Sequence, residues 1–216
     1  MKILVIGPSW VGDMMMSQSL YRTLKARYPQ AIIDVMAPAW CRPLLSRMPE
    51  VNEAIPMPLG HGALEIGERR KLGHSLREKR YDRAYVLPNS FKSALVPFFA
   101  GIPHRTGWRG EMRYGLLNDA RVLDKEAWPL LWPQLQVNDG EKSHTCNAFG
   151  LSSERPMIGF CPGAEFGPAK RWPHYHYAEL AKQLIDEGYQ IVLFGSAKDH
   201  EAGNEILATL SNEQQA

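Results

Sequence analysis

The sequence predicts an α/β fold with parallel sheets, and three observations support this class. Short runs of β-branched and other apolar residues alternate with amphipathic stretches along most of the chain. Alternation of this kind is typical of right-handed βαβ crossovers, which build parallel sheets. The alternation lapses between about residues 105 and 154 and then resumes, so a second, smaller domain is expected after the lapse.

The individual elements follow from the spacing of apolar residues. In the first helix Met16, Leu20 and Leu24 recur every four residues, while Arg22, Lys25 and Arg27 occupy the other face. Strands are expected at Lys2–Ile6, Ala31–Met36, Glu53–Pro56, Arg83–Leu87, Met157–Cys161 and Gln190–Phe194. Helices are expected at Asp13–Tyr28, Trp40–Arg47, Ile66–Arg80, Lys92–Ala100, His174–Glu187 and His200–Leu210.

A domain boundary is expected near residue 150. The preceding stretch holds Trp128-Pro129, Trp132-Pro133 and Asn138-Asp139-Gly140, which indicate turns rather than periodic structure. We therefore expect one domain over residues 1–150, linker included, and another over residues 151–216. The second domain offers two strands and two helices, which is half of a nucleotide-binding unit. It is therefore expected to be incomplete in this chain.

Composition and charge exclude several classes of protein. The chain has 216 residues, of which 44% are hydrophobic, so it can bury a sizeable core. Its 25 basic and 23 acidic residues give a net charge of only +2. The overall charge therefore does not indicate electrostatic attraction to nucleic acid. The three cysteines are odd in number and widely spaced, which favours a reducing cytosol. No apolar run approaches the roughly 20 residues of a membrane span, so no transmembrane segment is expected.

The loop after the first strand, Gly7-Pro8-Ser9-Trp10-Val11-Gly12-Asp13, is the first candidate site. Its spacing matches neither a dinucleotide fingerprint nor a Walker loop. Open α/β sheets nevertheless bind ligands at the carboxyl ends of their strands. The residue types leave two roles open for Asp13. It either caps the helix by accepting backbone hydrogen bonds, or it is a general base that takes a proton from an attacking hydroxyl.

The second candidate site is the loop CPGAEFGPAKRWP, residues 161–173. It follows a strand, contains Gly163 and Gly167, and carries Lys170 and Arg171 just before a helix. Backbone N–H groups, the helix dipole and a cation together suit a phosphate group. The alternative is a solvated surface loop in which Trp172 packs on the core.

A third cluster of cations follows the fourth strand, with Lys92, Arg105, Arg109 and Arg113 among glycines. Such a cluster suits a phosphorylated or carboxylated acceptor, and the alternative is a solvated surface. For the basic run over residues 69–80 the solvated helix face is favoured. The histidines offer no set of ligands at zinc-like spacing, so no metal site is expected.

Three stretches carry a resemblance to a known family: MKILVIGPSWVGDMMMSQSLYRTLKARYP, VLPNSFKSALVPFFAGIPHRTGWRGEMRYGLLND and FCPGAEFGPAKRWP. They resemble the ADP-heptose:lipopolysaccharide heptosyltransferases of glycosyltransferase family 9, over nearly the whole chain. The resemblance implies a GT-B fold, in which two Rossmann-like domains face each other. The N-terminal domain is then expected to receive the lipopolysaccharide acceptor and the C-terminal domain the nucleotide sugar.

The resemblance also implies a reaction. An inverting transferase of this family would move L-glycero-D-manno-heptose from ADP-heptose to heptosyl-Kdo2-lipid A during synthesis of the lipopolysaccharide inner core. No cofactor is required, and assistance by a divalent cation is left open. The protein is expected to be cytoplasmic and peripheral to the cytoplasmic face of the inner membrane, because its basic clusters would attract anionic lipids.

Site residues are carried over by motif. The acid of the family's Gly-Asp falls on Asp13, the implied general base, and the lysine of its Pro-Gly…Lys-Arg-Trp motif falls on Lys170, implied to bind the donor's phosphates. Further donor contacts are expected at Gly163, Ala164 and Gly195. Acceptor contacts are expected at Ser9, Trp10, Gly12, Asn89, Lys92, Arg105 and Arg109.

The sequence departs from the family pattern in three ways. The family's later Asp-Ser/Thr-Gly-x-x-His motif, which helps to hold the donor, is absent. The C-terminal helix that in the family usually crosses back to the N-terminal domain is also absent. The run EAWPLLWPQLQ is short, as though residues around Leu130 and Leu131 were missing. These departures predict weak or no transferase activity for this chain. The alternatives left open are another nucleotide-sugar transferase of the same fold and an inactive nucleotide-binding fragment.

Overall fold

The computed structural model describes residues 1–60, 62–122, 131–164 and 168–211. The chain divides into two compact units, Met1–Val137 and Asn138–Ala216. The first unit ends before the boundary expected near residue 150, so the stretch from residue 138 to residue 150 belongs to the second unit.

The first unit is built on a six-stranded sheet in the order β3-β2-β1-β4-β5-β6. All five pairs of neighbouring strands run parallel. The order 3-2-1-4-5-6 is that of a doubly wound Rossmann sheet. The predicted α/β class is therefore confirmed. The strands are β1 (Lys2–Ile6), β2 (Ile32–Ala37), β3 (Val51–Pro56), β4 (Arg83–Val86), β5 (His104–Trp108) and β6 (Asp119–Arg121).

The helices of the first unit connect these strands. They are α1 (Val11–Arg27), α2 (Arg42–Leu45), α3 (Ile66–Ser75) and α4 (Leu95–Phe99). Three of the expected helices are shorter than predicted, because part of each is a single 3-10 turn. These turns cover Ala39–Cys41, Arg77–Lys79 and Phe91–Ala94.

The central strand β1 is buried on both faces, as expected for a parallel sheet covered by helices. Leu4 and Ile6 pack in one cluster with residues of β4 and α4. Ile3 and Val5 pack in another, which includes Met14, Tyr21 and Leu24 of α1. The alternation of side chains along a strand thus places one core layer on each side of the sheet.

The buried face of α1 includes Leu24 and part of Leu20, as predicted, but not Met16. Met16 is 62% exposed, whereas Met14, Gln18 and Tyr21 are buried. Gln18 was not expected in a core face, because an amide must find hydrogen-bond partners there. It finds them in Glu50 and in the backbone of Gln134.

The expectation of turns alone between residues 105 and 154 was wrong. Strands β5 and β6 lie there, as does a helix, α5 (Asp139–Ala148). The Asn-Asp-Gly run that suggested a turn is a helix start, since the side chain of Asn138 accepts hydrogen bonds from the N–H groups of Gly140 and Glu141. Helix α5 buries no residue and therefore shows no apolar stripe in the sequence.

The second unit contains a parallel pair of strands, β7 (Met157–Phe160) and β8 (Gln190–Leu193). This confirms the expected second parallel sheet. Helices α6 (His174–Asp186) and α7 (His200–Leu207) follow the two strands. Phe160, Ala178, Ala181 and Ile206 are the buried apolar residues of this unit among those described.

Candidate active site

The first unit has a cleft at the carboxyl edge of its sheet, where β1 lies between β2 and β4. The strand order reverses at this place, so successive loops diverge and leave a crevice in which doubly wound folds bind ligands. We call it the switch-point cleft. Its walls come from the loops after β1, β2, β3 and β4, and its polar lining residues are Ser9, Arg69, Ser90, Lys92 and Ser93.

The loop after β1 is held closely against its surroundings. Gly7 donates its backbone N–H to the carbonyl of Met36 at 2.9 Å. A Cβ at this position would lie 2.6 Å from Cε of Met14 and 3.2 Å from that same carbonyl oxygen. The indole Nε1 of Trp40 donates to the carbonyl of Ser9 at 2.8 Å. The tight turn therefore needs glycine, and Ser9 of this turn lines the cleft.

Asp13 occupies the first turn of α1 and is exposed. It does not cap the helix by hydrogen bonding, since Trp10 holds the N-cap position and no side chain makes a cap bond there. Among the residues that the structure describes, none donates a hydrogen bond to the Asp13 carboxylate. Its charge still interacts favourably with the helix dipole. Asp13 does not line the cleft itself, but it follows Ser9 closely along the same loop and first helical turn.

Trp10 and Gly12 lie between Ser9 and Asp13 in the sequence. Trp10 is 52% exposed. A Cβ on Gly12 would meet no atom within 4 Å, so this glycine has no structural requirement within the chain. Contact of Trp10 and Gly12 with an acceptor stays a prediction.

Asn89 is held by Arg113, which the sequence shows only as one member of a basic cluster. Arg113 is only 2% exposed. Its guanidinium donates to the carbonyl of Pro88 at 2.7 Å and to Oδ1 of Asn89 at 3.2 Å, and it also bonds the carbonyl of Trp108. Burial lowers the pKa of this guanidinium. Arg113 thus joins the loop after β4 to the loop after β5.

Arg105 is placed differently from the expectation that it contacts an acceptor. It is the second residue of β5, and its guanidinium donates to the carbonyls of Leu116 at 2.6 Å and Ile102 at 2.5 Å. It also lies over the ring of Phe98, 5.6 Å from the centroid. Because its Nε and Nη1 bond carbonyls near the amino end of β5, Arg105 stabilises that part of the sheet. Arg109 follows the carboxyl end of β5 and is exposed.

Arg69 is an unexpected member of the cleft. The sequence favoured a solvated helix face for the basic run over residues 69–80, and this holds for the exposed Arg70 and Lys71. Arg69 is instead 4% exposed and lines the cleft. Its helix, α3, packs closely on α4 at Gly73. A Cβ on Gly73 would lie only 2.6 Å from Cβ of Phe99.

The second unit has its own pocket at the carboxyl ends of β7 and β8. It brings together three of the four predicted donor residues, Gly163, Ala164 and Gly195. Lys170 does not line this pocket and is exposed in the turn Pro168–Lys170. The pocket's other polar residues, which were not predicted as donor contacts, are Arg171, Ser196, Lys198 and Asp199.

Asp199 organises this pocket. It accepts hydrogen bonds from the backbone N–H and the hydroxyl of Ser196, both at 2.8 Å. The backbone hydrogen bond is the main reason that the pKa of Asp199 lies below its usual range. A Cβ on Gly163 would collide with the Asp199 carboxylate, and one on Gly195 would lie 2.9 Å from Cβ of Asp199. Asp199 can therefore occupy this position only because residues 163 and 195 are glycines.

Two further features bear on the chemistry. Within the described ranges, no cluster of three or more histidine, cysteine, aspartate or glutamate residues could hold a metal ion. No helix in the described part of the chain is both long and apolar enough to cross a membrane.

The model of glycosyltransferase family 9 (heptosyltransferase) matches residues 69–131 and 128–216. The chain belongs to this family. It is 85% identical to lipopolysaccharide heptosyltransferase 2 of Escherichia coli (strain K12), over all of this chain and 69% of the relative. It is 57% identical to lipooligosaccharide heptosyltransferase 2 of Haemophilus influenzae (strain ATCC 51907 / DSM 11121 / KW20 / Rd), over 99% of this chain and 69% of that relative.

A solved structure agrees with this assignment. The structure of E. coli ADP-heptose LPS heptosyltransferase II matches with a TM-score of 0.89 and 82% identity, over 100% of this chain and 70% of that one. The expected family, the heptosyltransferase class and the GT-B type of fold are thereby confirmed. Another nucleotide-sugar transferase and an inactive fragment are not favoured.

The comparison also concerns the short run EAWPLLWPQLQ, residues 126–136, of which residues 126–130, including Leu130, lie outside the described residues. The two stretches matched by the family model meet at residues 128–131. The alignment with the E. coli relative spans 241 positions, whereas this chain has 216 residues, so at least 25 positions of that alignment have no residue here.

Proposed function

We propose that the chain transfers L-glycero-D-manno-heptose from ADP-heptose to heptosyl-Kdo2-lipid A. The observation that carries this proposal is the 85% identity, over the whole chain, to an enzyme named lipopolysaccharide heptosyltransferase 2. The matched E. coli structure is that of an ADP-heptose LPS heptosyltransferase, which supports ADP-heptose as the donor. The first unit would receive the acceptor at the carboxyl edge of its sheet, and the second unit would bind the nucleotide sugar.

Asp13 would act as the general base. Its exposed carboxylate accepts no hydrogen bond from a described side chain, so its lone pairs are available to a hydroxyl of the acceptor. The acceptor oxygen attacks the anomeric carbon of the donor heptose, and the bond from that carbon to the phosphate oxygen breaks. The hydroxyl proton passes to Asp13, and ADP leaves with inversion at the anomeric carbon.

The acceptor would lie along the loop that precedes this base. Ser9 lines the cleft and Trp10 offers an exposed aromatic surface. The open space over Gly12 would allow the acceptor to approach the helix terminus. Lys92 also lines the cleft, and it follows the loop that contains Asn89.

The donor's diphosphate would be held in the second unit. Gly163, Ala164 and Gly195 line the pocket at the strand ends, and Arg171 donates to the carbonyl of Ala164 at 3.2 Å. Lys170 precedes Arg171 and would offset the charge that develops on the leaving ADP. No divalent cation is required by this scheme.

The acceptor's lipid anchor would bring the protein to the cytoplasmic face of the inner membrane. Trp10 and Trp40 are 52% and 59% exposed, and tryptophan favours the boundary between water and lipid. All three cysteines are free thiols, which is consistent with a reducing compartment such as the cytoplasm. Vesicles containing anionic lipid should bind the protein at low salt and release it at high salt. Binding that salt does not weaken would contradict an electrostatic association.

The transfer itself is tested by incubating the chain with ADP-heptose and each of two acceptors. Mass spectrometry should show one added heptose on heptosyl-Kdo2-lipid A and none on Kdo2-lipid A. A product formed only on Kdo2-lipid A would overturn the proposed acceptor.

A further inference from the structure

The switch-point cleft carries charge of one sign only. Its charged lining residues, among those described, are Arg69 and Lys92, and no carboxylate lines it. The hydroxyls of Ser9, Ser90 and Ser93 provide further hydrogen-bonding groups. A cleft with two cations, hydroxyl groups and no acid is suited to an anionic group.

Arg69 is the more informative cation because it is buried. Its Nε donates to the carbonyl of Leu64 at 2.6 Å and its Nη2 to the carbonyl of Ala63 at 2.9 Å. No described aspartate or glutamate forms an ion pair with it, and its Nη1 makes no hydrogen bond to a described residue. The main effect on the pKa of Arg69 is a lowering by burial, which the charge of Glu65 partly opposes.

A buried guanidinium without a carboxylate partner is costly, because neutral carbonyls replace only part of its hydration. The neighbouring cations of α3 do not carry this desolvation cost. Arg70 is exposed, and Lys71 is exposed and pairs with Glu68 at 2.7 Å. An oxyanion in the cleft would supply the missing countercharge for Arg69.

We propose that Arg69 and Lys92 form an oxyanion subsite in the switch-point cleft, which binds a carboxylate or phosphate group of the acceptor. The assignment of this anion to the acceptor rests on the proposed function. In that acceptor the sugar acid Kdo carries a carboxylate and lipid A carries phosphates. Asp13 lies outside the lining of the cleft, so the subsite would keep the acceptor's anion apart from the anionic base.

The test measures binding of free Kdo and of inorganic phosphate to the intact chain by isothermal titration calorimetry. Neither measurement involves donor or transfer, so its outcome is independent of the proposed reaction. The variants are Arg69→Met and Lys92→Met, with Arg70→Met as a matched control on the same helix. D-mannose serves as a neutral sugar.

Both cleft variants should bind the anion about tenfold or more weakly than the parent chain, as expected for loss of a charge-assisted hydrogen bond. Arg70→Met should bind as the parent does, and D-mannose should not bind. Tighter binding of Kdo would identify a carboxylate as the ligand, and tighter binding of phosphate would identify a phosphate.

Arg69 also holds two backbone carbonyls, so Arg69→Met could disturb the fold. Lys92→Met removes no hydrogen bond recorded between described residues and therefore tests the subsite independently. Unchanged anion binding in Lys92→Met, or an equal loss in Arg70→Met, would overturn the proposal.

Discussion

Gln18 and Gln134 are joined by two hydrogen bonds although 116 residues separate them in the sequence. Nε2 of Gln18 donates to the carbonyl of Gln134 at 2.8 Å, and the N–H of Gln134 donates to Oε1 of Gln18 at 2.9 Å. Gln18 also donates to Glu50 at 2.9 Å, so both the nitrogen and the oxygen of its amide are hydrogen-bonded. These contacts bind the last segment of the first unit to α1, the helix that carries Asp13.

Replacement of Gln18 should therefore destabilise the first unit. Gln18→Met retains the volume but leaves the backbone groups of Gln134 without their partners, at a cost of about 1–3 kcal/mol. Urea unfolding followed by circular dichroism measures this loss. The exposed Gln30 provides the control, and Gln30→Met should change the stability by less than about 0.5 kcal/mol. Equal effects of the two substitutions would show that the buried amide contributes no specific stability.

Gly7 and Gly12 should respond in opposite ways to alanine. Gly7→Ala forces Met14 and the backbone near Met36 to move, with an expected cost of about 1–3 kcal/mol. Gly12→Ala places a methyl group in open space on a helix and should stabilise by about 0.4–1 kcal/mol. Thermal unfolding distinguishes the two. If the acceptor approaches Gly12, its alanine variant should also raise the KM for acceptor while remaining stable.

Asp199 should titrate at unusually low pH. Its pKa in the folded chain lies below the ordinary value of 3.8, mainly because of the Ser196 backbone hydrogen bond. A group whose pKa is lowered by folding contributes stability above its unfolded pKa. That contribution is lost as the pH falls through the lower, folded pKa.

Ser196→Ala tests the origin of this shift. The substitution keeps the backbone hydrogen bond and removes the hydroxyl that also donates to Asp199. NMR titration should therefore show a partial rise in the pKa of Asp199, still below 3.8. A full return to the ordinary value would mean that the hydroxyl, and not the backbone, holds the carboxylate in its ionised form.

Much of the fold could be predicted because its central strands are apolar and end at glycine or proline. Strand β5 escaped prediction since its residues, His104–Trp108, do not show an apolar alternation. Strand β6 is only three residues long. Helix α5 buries nothing, so hydrophobic spacing could not reveal it.

The sequence predicts site residues that are glycines at strand ends, but it does not predict which charged side chains of the site are buried. Gly163 and Gly195 follow strands and could be placed at strand ends from the sequence. Arg69 could not be distinguished from Arg70, because only the packing of α3 on the rest of the unit decides which cation is buried. The hydrogen bonds of Arg105 to the carbonyls of Leu116 and Ile102 could not be predicted, because these carbonyls become its neighbours only in the folded sheet.

The central claim is that Asp13 serves as the base of a heptosyl transfer. The most direct measurement is single-turnover conversion of heptosyl-Kdo2-lipid A, with the chain in excess, which also detects slow transfer. Asp13→Asn should slow conversion by about 10²–10⁴-fold with little change in melting temperature, because the exposed carboxylate makes no described hydrogen bond. The exposed Glu78→Gln should react like the parent. Conversion by Asp13→Asn at the parent rate would contradict the account, as would the absence of product from the parent chain.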